Sequence, residues 1–83
     1  MIKGYFSTNE VETLYRKVKN SEKGMTAFIK DAKKVGTKIE DGPAAYYIYK
    51  DEDALFNVFK KYLPDELNSL GIDCFGRLMQ YVS

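Results

Sequence analysis

Apolar side chains repeat at helical spacing in two segments of the first half of the chain. The first segment has them at Val11, Leu14, Tyr15 and Val18, and the second at Met25, Phe28, Ile29, Ala32 and Val35. A repeat of i, i+3, i+4 and i+7 is typical of a helix that buries one face. The pattern therefore predicts two amphipathic helices, joined by a loop over residues 20–24.

Residues at the ends of these segments support the same two helices. Ser7 and Glu10 have the spacing of a capping box, in which each side chain bonds the backbone N–H of the other residue. The first helix is expected to end near Lys19 and Asn20. Gly36 follows the second helix, at the place where a residue in the left-handed conformation often closes a helix.

Strand-forming residues occur before the first helix and after the second. Residues 2–6 predict a short strand. The aromatic and branched residues over 44–50 predict a longer one, which pairs as a hairpin with a strand near 37–40. The segment Glu40–Pro43 between them contains Asp, Gly and Pro, which favour a turn.

Helices are predicted for most of the rest of the chain. Asp51 is placed to cap a third helix, which has a broad apolar face and ends at Pro64, because proline lacks a backbone donor. A short helix, Asp65–Leu70, follows and closes at Gly71. Residues 73–82 fit either a helix capped by Asp73 or a strand. We expect the helix, with a final strand as the alternative.

Together these elements predict a single compact α+β domain over residues 1–83. Their order is β-α-α-β-β-α, followed by the short helix and the closing element. A small antiparallel β-sheet of three or four strands would be covered on one face by amphipathic helices. The other face of the sheet would be left to water or to a partner.

Charge is distributed unevenly between the two halves of the chain. Residues 1–39 hold nine Lys or Arg against four Asp or Glu, for a net charge of +5, and residues 40–83 hold four against eight, for −4. The total is the +1 of the whole chain. Either the first half meets an anionic partner, or the two halves attract each other within the fold.

The residue types that most often perform chemistry are scarce. The chain has no His and one cysteine, Cys74, so we expect no catalytic residue, no metal site and no cofactor. Asp51–Asp53 and Glu40–Asp41 fit local roles at a helix start and a turn. We expect Cys74 to be a buried thiol in a reducing compartment. No apolar run approaches the roughly 20 residues that span a bilayer, which favours a cytoplasmic protein.

The second helix predicts a basic face. At 100° per residue, Lys30, Lys33 and Lys34 lie opposite its apolar side. Lysines at its two ends and basic residues on the outer side of the first helix would extend this face. The candidate residues for an anionic partner are Arg16, Lys17, Lys19, Lys23, Lys30, Lys33, Lys34 and Lys38. Nucleic-acid phosphates or an acidic protein surface would fit them, and a solvated helix face is the competing interpretation.

The segment Tyr46–Tyr49 is the candidate surface for a protein partner. Tyrosine is enriched at binding hot spots, although it is also common on half-exposed strands. Successive side chains of a strand point to opposite faces. In one orientation Tyr47 and Tyr49 face outward, and in the other they are buried while Tyr46 and Ile48 are exposed. We therefore consider Tyr46, Tyr47 and Tyr49 as candidates.

The missing catalytic groups and the Tyr-rich strand favour a non-enzymatic function, as does the broad apolar face of the third helix. We expect a small binding protein that docks on a larger protein as an inhibitor, regulator or accessory factor. The alternative is a weakly sequence-selective nucleic-acid binder that uses the face of Lys30, Lys33 and Lys34. Self-association into a homodimer is a variant of the first hypothesis. No membrane partner is expected.

Overall fold

Helices make up most of the computed structural model, which describes residues 6–38 and 47–83. In chain order the elements are β1 (Phe6–Ser7), α1 (Thr8–Lys19), α2 (Met25–Ala32), a 3₁₀ turn (Lys33–Val35), β2 (Thr37–Lys38), β3 (Tyr47–Tyr49), α3 (Glu52–Tyr62), α4 (Pro64–Ser69) and α5 (Phe75–Val82). The predicted order is confirmed. Most of the first predicted strand, the Glu40–Pro43 turn and Tyr46 lie outside the described residues.

Three short strands form an antiparallel sheet in the order β1-β3-β2. Phe6 pairs with Tyr49, Ser7 and Thr37 pair with Ile48, and Lys38 pairs with Tyr47. Paired residues share a face of the sheet. The buried side chains of Phe6 and Tyr49 mark the face against which helices pack, whereas Ile48 on the other face is half-buried. The α+β class and the pairing of the hairpin strands are confirmed.

The start of α1 has the capping box that the sequence predicts. The Ser7 Oγ accepts the backbone N–H of Glu10 at 3.3 Å, and the Glu10 Oε1 accepts the backbone N–H of Ser7 at 3.3 Å. The helix ends at Lys19, and Asn20 follows in the left-handed conformation with φ of 61°. Both predicted ends of α1 are confirmed.

The end of α2 differs from the prediction. Gly36 is extended, with φ of −94°, so it is not the left-handed closing residue. The helix instead tightens into the 3₁₀ turn, and Gly36 donates its N–H to the carbonyl of Lys33 at 3.2 Å. A glycine is needed at this position because there is no room for a side chain: a Cβ placed there would lie 2.7 Å from the Cε1 of Tyr49. The residue allows a close approach to the core.

The last element is a helix, which excludes the alternative of a final strand. Asp73 is not its cap, because Cys74 precedes the helix in extended conformation and makes no side-chain capping bond. Asp73 instead forms an ion pair with the Nε of Arg77 at 3.1 Å. The prediction of a buried Cys74 was wrong as well, since the thiol is exposed. The next residue, Phe75, takes the buried position.

Aromatic rings from several elements meet in the core. The ring of Phe28 lies 4.7 Å from that of Tyr15 and 4.8 Å from that of Phe59, centroid to centroid. Phe6 and Phe75 form a second contact at 5.2 Å. The apolar face of α3, which includes Leu55 and Phe59, is buried in this core. It therefore does not provide the docking surface that the sequence suggested.

Candidate interaction surfaces

The three candidate tyrosines have different surroundings. Tyr49 is 0% exposed, and its hydroxyl lies 3.2 Å from the Oγ1 of Thr8. Burial raises the pKa of the Tyr49 hydroxyl above its ordinary value. Tyr47 is half-buried on the same face of the sheet, and Tyr46 lies outside the described residues. Tyr49 therefore belongs to the core and is withdrawn as a contact residue, whereas Tyr47 is still a candidate.

Tyr47 lies beside Lys33 and Lys38. The Nζ of Lys33 lies over its ring, 5.2 Å from the centroid. Lys38 is directly opposite Tyr47 in the sheet, and cross-strand partners have neighbouring side chains. Lys33 and Lys30 line one shallow hollow of about 290 Å³ beside α2, together with Glu12. We name Lys30, Lys33, Lys38 and Tyr47 the lysine–tyrosine surface. It joins parts of two candidate sets that the sequence left separate.

The three lysines of this surface form no ion pair with the described residues. Within residues 6–38 and 47–83, no carboxylate lies within ion-pair distance of Lys30, Lys33 or Lys38. A cation over an aromatic ring keeps its full charge. Glu12 lines the same hollow as Lys30 and Lys33, and its Oε1 lies 4.0 Å from the Nη2 of Arg16.

Lys34 is in a different position from its neighbours. Asp31 accepts a hydrogen bond from the Nζ of Lys61 at 2.9 Å and pairs with the Nζ of Lys34 at 3.3 Å. The bond from Lys61 is the main reason that the pKa of Asp31 lies below its ordinary value. Lys34 is thus partly compensated. Lys23 is exposed in the loop before α2, and its carbonyl accepts the hydroxyl of Tyr15 at 2.7 Å.

The basic residues of α1 contact other parts of the fold. Arg16 pairs through its Nε with the Oε1 of Glu22 at 2.8 Å. Lys19 pairs with the Oε2 of Glu66 on α4 at 2.9 Å, and Lys17 donates to the carbonyl of Val82 on α5 at 3.2 Å. Lys17 and Lys19 are therefore directed to α5 and α4. The structure does not join these residues to the lysine–tyrosine surface.

The carboxylates at the start of α3 have a structural role. The Oδ1 of Asp51 accepts the backbone N–H of Ala54 at 3.0 Å, which confirms the predicted cap. In the described ranges, no group of three or more Cys, Asp or Glu side chains is arranged to hold a metal ion. None of the helices there is both long and apolar enough to cross a bilayer.

The structure contains a groove between α1, α4 and α5 that the sequence did not predict. Its volume is about 600 Å³. It is lined by Lys17, Val18, Asn20, Asp65, Glu66, Ser69, Leu70 and Tyr81. Leu70 and Tyr81, at 39% and 48% exposure, are the large apolar side chains left exposed in the described part of the chain. In the sequence, Leu70 follows the last residue of α4, and Tyr81 is not among the buried residues of α5. These two positions were the sequence signal that could have indicated exposed apolar side chains.

Comparison with known proteins adds no relative. No protein-family model, curated protein or solved structure matches the chain. Two surfaces are therefore the starting point for function. One is the lysine–tyrosine surface, and the other is the groove between α1, α4 and α5.

Proposed function

We propose that the protein is a small, non-enzymatic binding protein of the cytoplasm. It docks on a larger protein through the lysine–tyrosine surface and acts as an inhibitor, regulator or accessory factor. The observation that supports this is the placement of the Lys33 Nζ 5.2 Å from the centroid of Tyr47, with Lys38 opposite that tyrosine in the sheet. Aromatic area and positive charge thus occur together on one part of the surface.

The chemistry of this surface indicates an acidic partner. Residues 25–38 contain four lysines and one acid, Asp31, which is already paired with Lys34 and Lys61. Carboxylates on a partner would meet the lysines, and opposite potentials speed association and select among partners. The half-buried Tyr47 adds rigid contact area at small entropic cost.

The experiment is capture of host proteins on the immobilised protein after nuclease treatment, followed by binding measurements with the purified captured protein. The triple variant Lys30→Glu, Lys33→Glu and Lys38→Glu should weaken binding by about 100-fold or more, because like charges then face the acidic partner. The variant Tyr47→Ala should weaken it by about tenfold. Wild-type binding should also fall as the salt concentration rises.

A matched control separates the surface from overall charge. The exposed residues Lys50, Lys60 and Arg77 lie outside the lysine–tyrosine surface and outside the set of candidate residues for an anionic partner. Their combined change to Glu alters the net charge by the same amount and should leave binding within about threefold of wild type. Equal losses in both triple variants would assign the effect to net charge. Full binding by the Lys30/Lys33/Lys38 and Tyr47 variants would refute the surface.

Nucleic acid is the second candidate partner, because phosphates would also fit the three lysines, which form no ion pair in the described part of the chain. Two observations make it the weaker candidate. Arg16 and Arg77 are both paired with carboxylates, so neither is ready to read bases. Lys33 also lies over the ring of Tyr47, where a base would stack. Binding to random DNA or RNA at low salt, with a steep loss at higher salt, would favour this candidate. No binding at low salt would eliminate it.

A further inference from the structure

The groove between α1, α4 and α5 has apolar contact area at its surface. Leu70, at 39% exposure, follows α4, and Tyr81, at 48% exposure, belongs to α5. Both line the same groove, so the two exposed side chains form one patch. An apolar patch with a polar rim is typical of a protein–protein interface. None of its residues belongs to the lysine–tyrosine surface.

The two sides of the groove carry opposite charges. Lys17 lies on the α1 side, and Asp65 lies on the α4 side. Both side chains are exposed, and no ion pair joins them. Glu66 and Lys19 are already paired across the two helices at 2.9 Å. Lys17 donates to the backbone carbonyl of Val82 at 3.2 Å, a bond that does not neutralise its charge. The groove therefore has one basic and one acidic charge that are not paired with each other, so it does not favour a partner of a single sign.

A surface with both signs can be complementary to itself. In an isologous dimer the same patch is used by both copies, so residue i meets residue j and residue j meets residue i. A two-fold axis along the groove would place the α1 side of one copy over the α4 side of the other. Lys17 would then face the second copy's Asp65, and the exposed apolar side chains of the two copies would meet between the charges.

We propose that this groove is the interface of a homodimer. Leu70 and Tyr81 are its apolar centre, and Lys17 and Asp65 form two equivalent ion pairs at its edges. Because each copy contributes two exposed apolar side chains, the buried area is small, and we expect a weak dimer whose population depends on protein concentration. The proposal goes beyond the docking function and does not depend on it, because the dimer uses different residues.

Sedimentation velocity of the purified protein, from about 1 μM to about 1 mM, tests the dimer. The wild type should change from monomer to dimer within that range. Leu70→Ser and Tyr81→Ser should each weaken dimerisation by at least about tenfold, because each removes apolar area from the centre. A monomer at every concentration would overturn the proposal, as would a dimer unaffected by these changes.

A charge exchange tests the orientation. Lys17→Glu and Asp65→Lys should each weaken the dimer by about tenfold, because each places like charges together across the axis. The double variant restores opposite charges and should return to within about threefold of wild type. Failure of the double variant to recover would refute the Lys17–Asp65 pairing. Lys60→Glu, on an exposed lysine outside the groove, should have no effect.

Circular dichroism and thermal unfolding of every variant establish that the fold is retained. Leu70, Tyr81, Lys17 and Asp65 are all exposed, so their replacement does not open the core. The docking experiment and the dimer experiment have independent outcomes. A dimer without partner capture would refute the docking function alone, and partner capture by a strictly monomeric protein would refute the dimer alone.

Discussion

The two ends of strand β3 place tyrosines on the same face of one sheet, yet the two side chains differ in burial and in their neighbours. Tyr49 lies opposite Phe6, is fully buried and contacts Thr8 through its hydroxyl. Tyr47 lies opposite Lys38, is half-buried and has Lys33 over its ring. Alternation along a strand decides the face of a side chain, but neighbouring elements decide whether that side chain is core or surface. The inner end of β3, at Tyr49, belongs to the core, whereas the outer end, at Tyr47, packs against the core and is only half-buried.

Replacement of each tyrosine by alanine should separate the two ends most strongly. Tyr49→Ala should lower the free energy of unfolding by about 3–5 kcal/mol, as for other large aromatic side chains removed from a core. That is a large share of the roughly 5–15 kcal/mol that stabilises a typical domain. Tyr47→Ala should cost clearly less, because the ring is already partly in solvent. Urea denaturation of the two variants measures both values, and equal losses would contradict the distinction.

A smaller loss of stability is expected from adding a side chain at Gly36, beside the inner end of β3. The Cβ of Gly36→Ala would lie 2.7 Å from the Cε1 and 3.1 Å from the Cδ1 of Tyr49, so the buried ring has to move. Overpacking of this kind costs about 1–3 kcal/mol. Thr37→Ala, at the exposed neighbouring position, should change stability by less than about 0.5 kcal/mol.

A double variant tests the assigned cause. Gly36→Ala should cost much less in the Tyr49→Ala background, because the ring that clashes is absent. An unchanged cost would show that the ring is not responsible. Chemical denaturation of all four combinations provides the measurement.

Lowering the pH should have the smallest effect on stability. It should act through ion pairs that join the helices rather than through the outer end of β3. The hydrogen bond from Lys19 lowers the pKa of Glu66, and the bond from Lys61 lowers that of Asp31. The unfolded chain then binds protons at higher pH than the folded chain, so stability decreases as the pH falls below about 4. The decrease is modest, because exposed pairs are weak.

Thermal unfolding between about pH 3 and about pH 7 measures this dependence. The double variant Asp31→Asn and Glu66→Gln should flatten the acid side of the profile. An unchanged slope would show that other carboxylates are responsible.

The uneven charge of the chain has two explanations, and each applies to different residues. The ion pairs Lys19–Glu66 and Asp31–Lys61 join the basic first half to the acidic second half, at 2.9 Å each. These pairs support attraction within the fold. Lys30 forms no ion pair in the described part of the chain, although Glu12 lines the same hollow, so its charge fits the second explanation, an external anion. Charge counts alone could not separate the two cases, because they do not contain the positions of the side chains.

Much of the fold could be predicted because its signals are local. The Ser7–Glu10 box, the Asp51 cap and the stop at Pro64 each depend on neighbouring residues, and the structure has all three. Features that depend on distant packing were missed or wrong. Gly36 is explained by a ring 13 positions away, and the burial of Tyr49 by β1 and α1. The groove likewise needs three helices to be assembled before Leu70 and Tyr81 become neighbours.

The exposed thiol of Cys74 has a practical consequence for studying this molecule. Since the sequence contains no second cysteine, a maleimide dye or spin label would attach at one defined atom. That atom belongs to neither the lysine–tyrosine surface nor the lining of the groove. A reporter fixed there could follow complex formation by fluorescence or by electron spin resonance without engineering the chain. The same exposure means that air oxidation can cross-link two chains covalently, so reductant belongs in every buffer used before labelling.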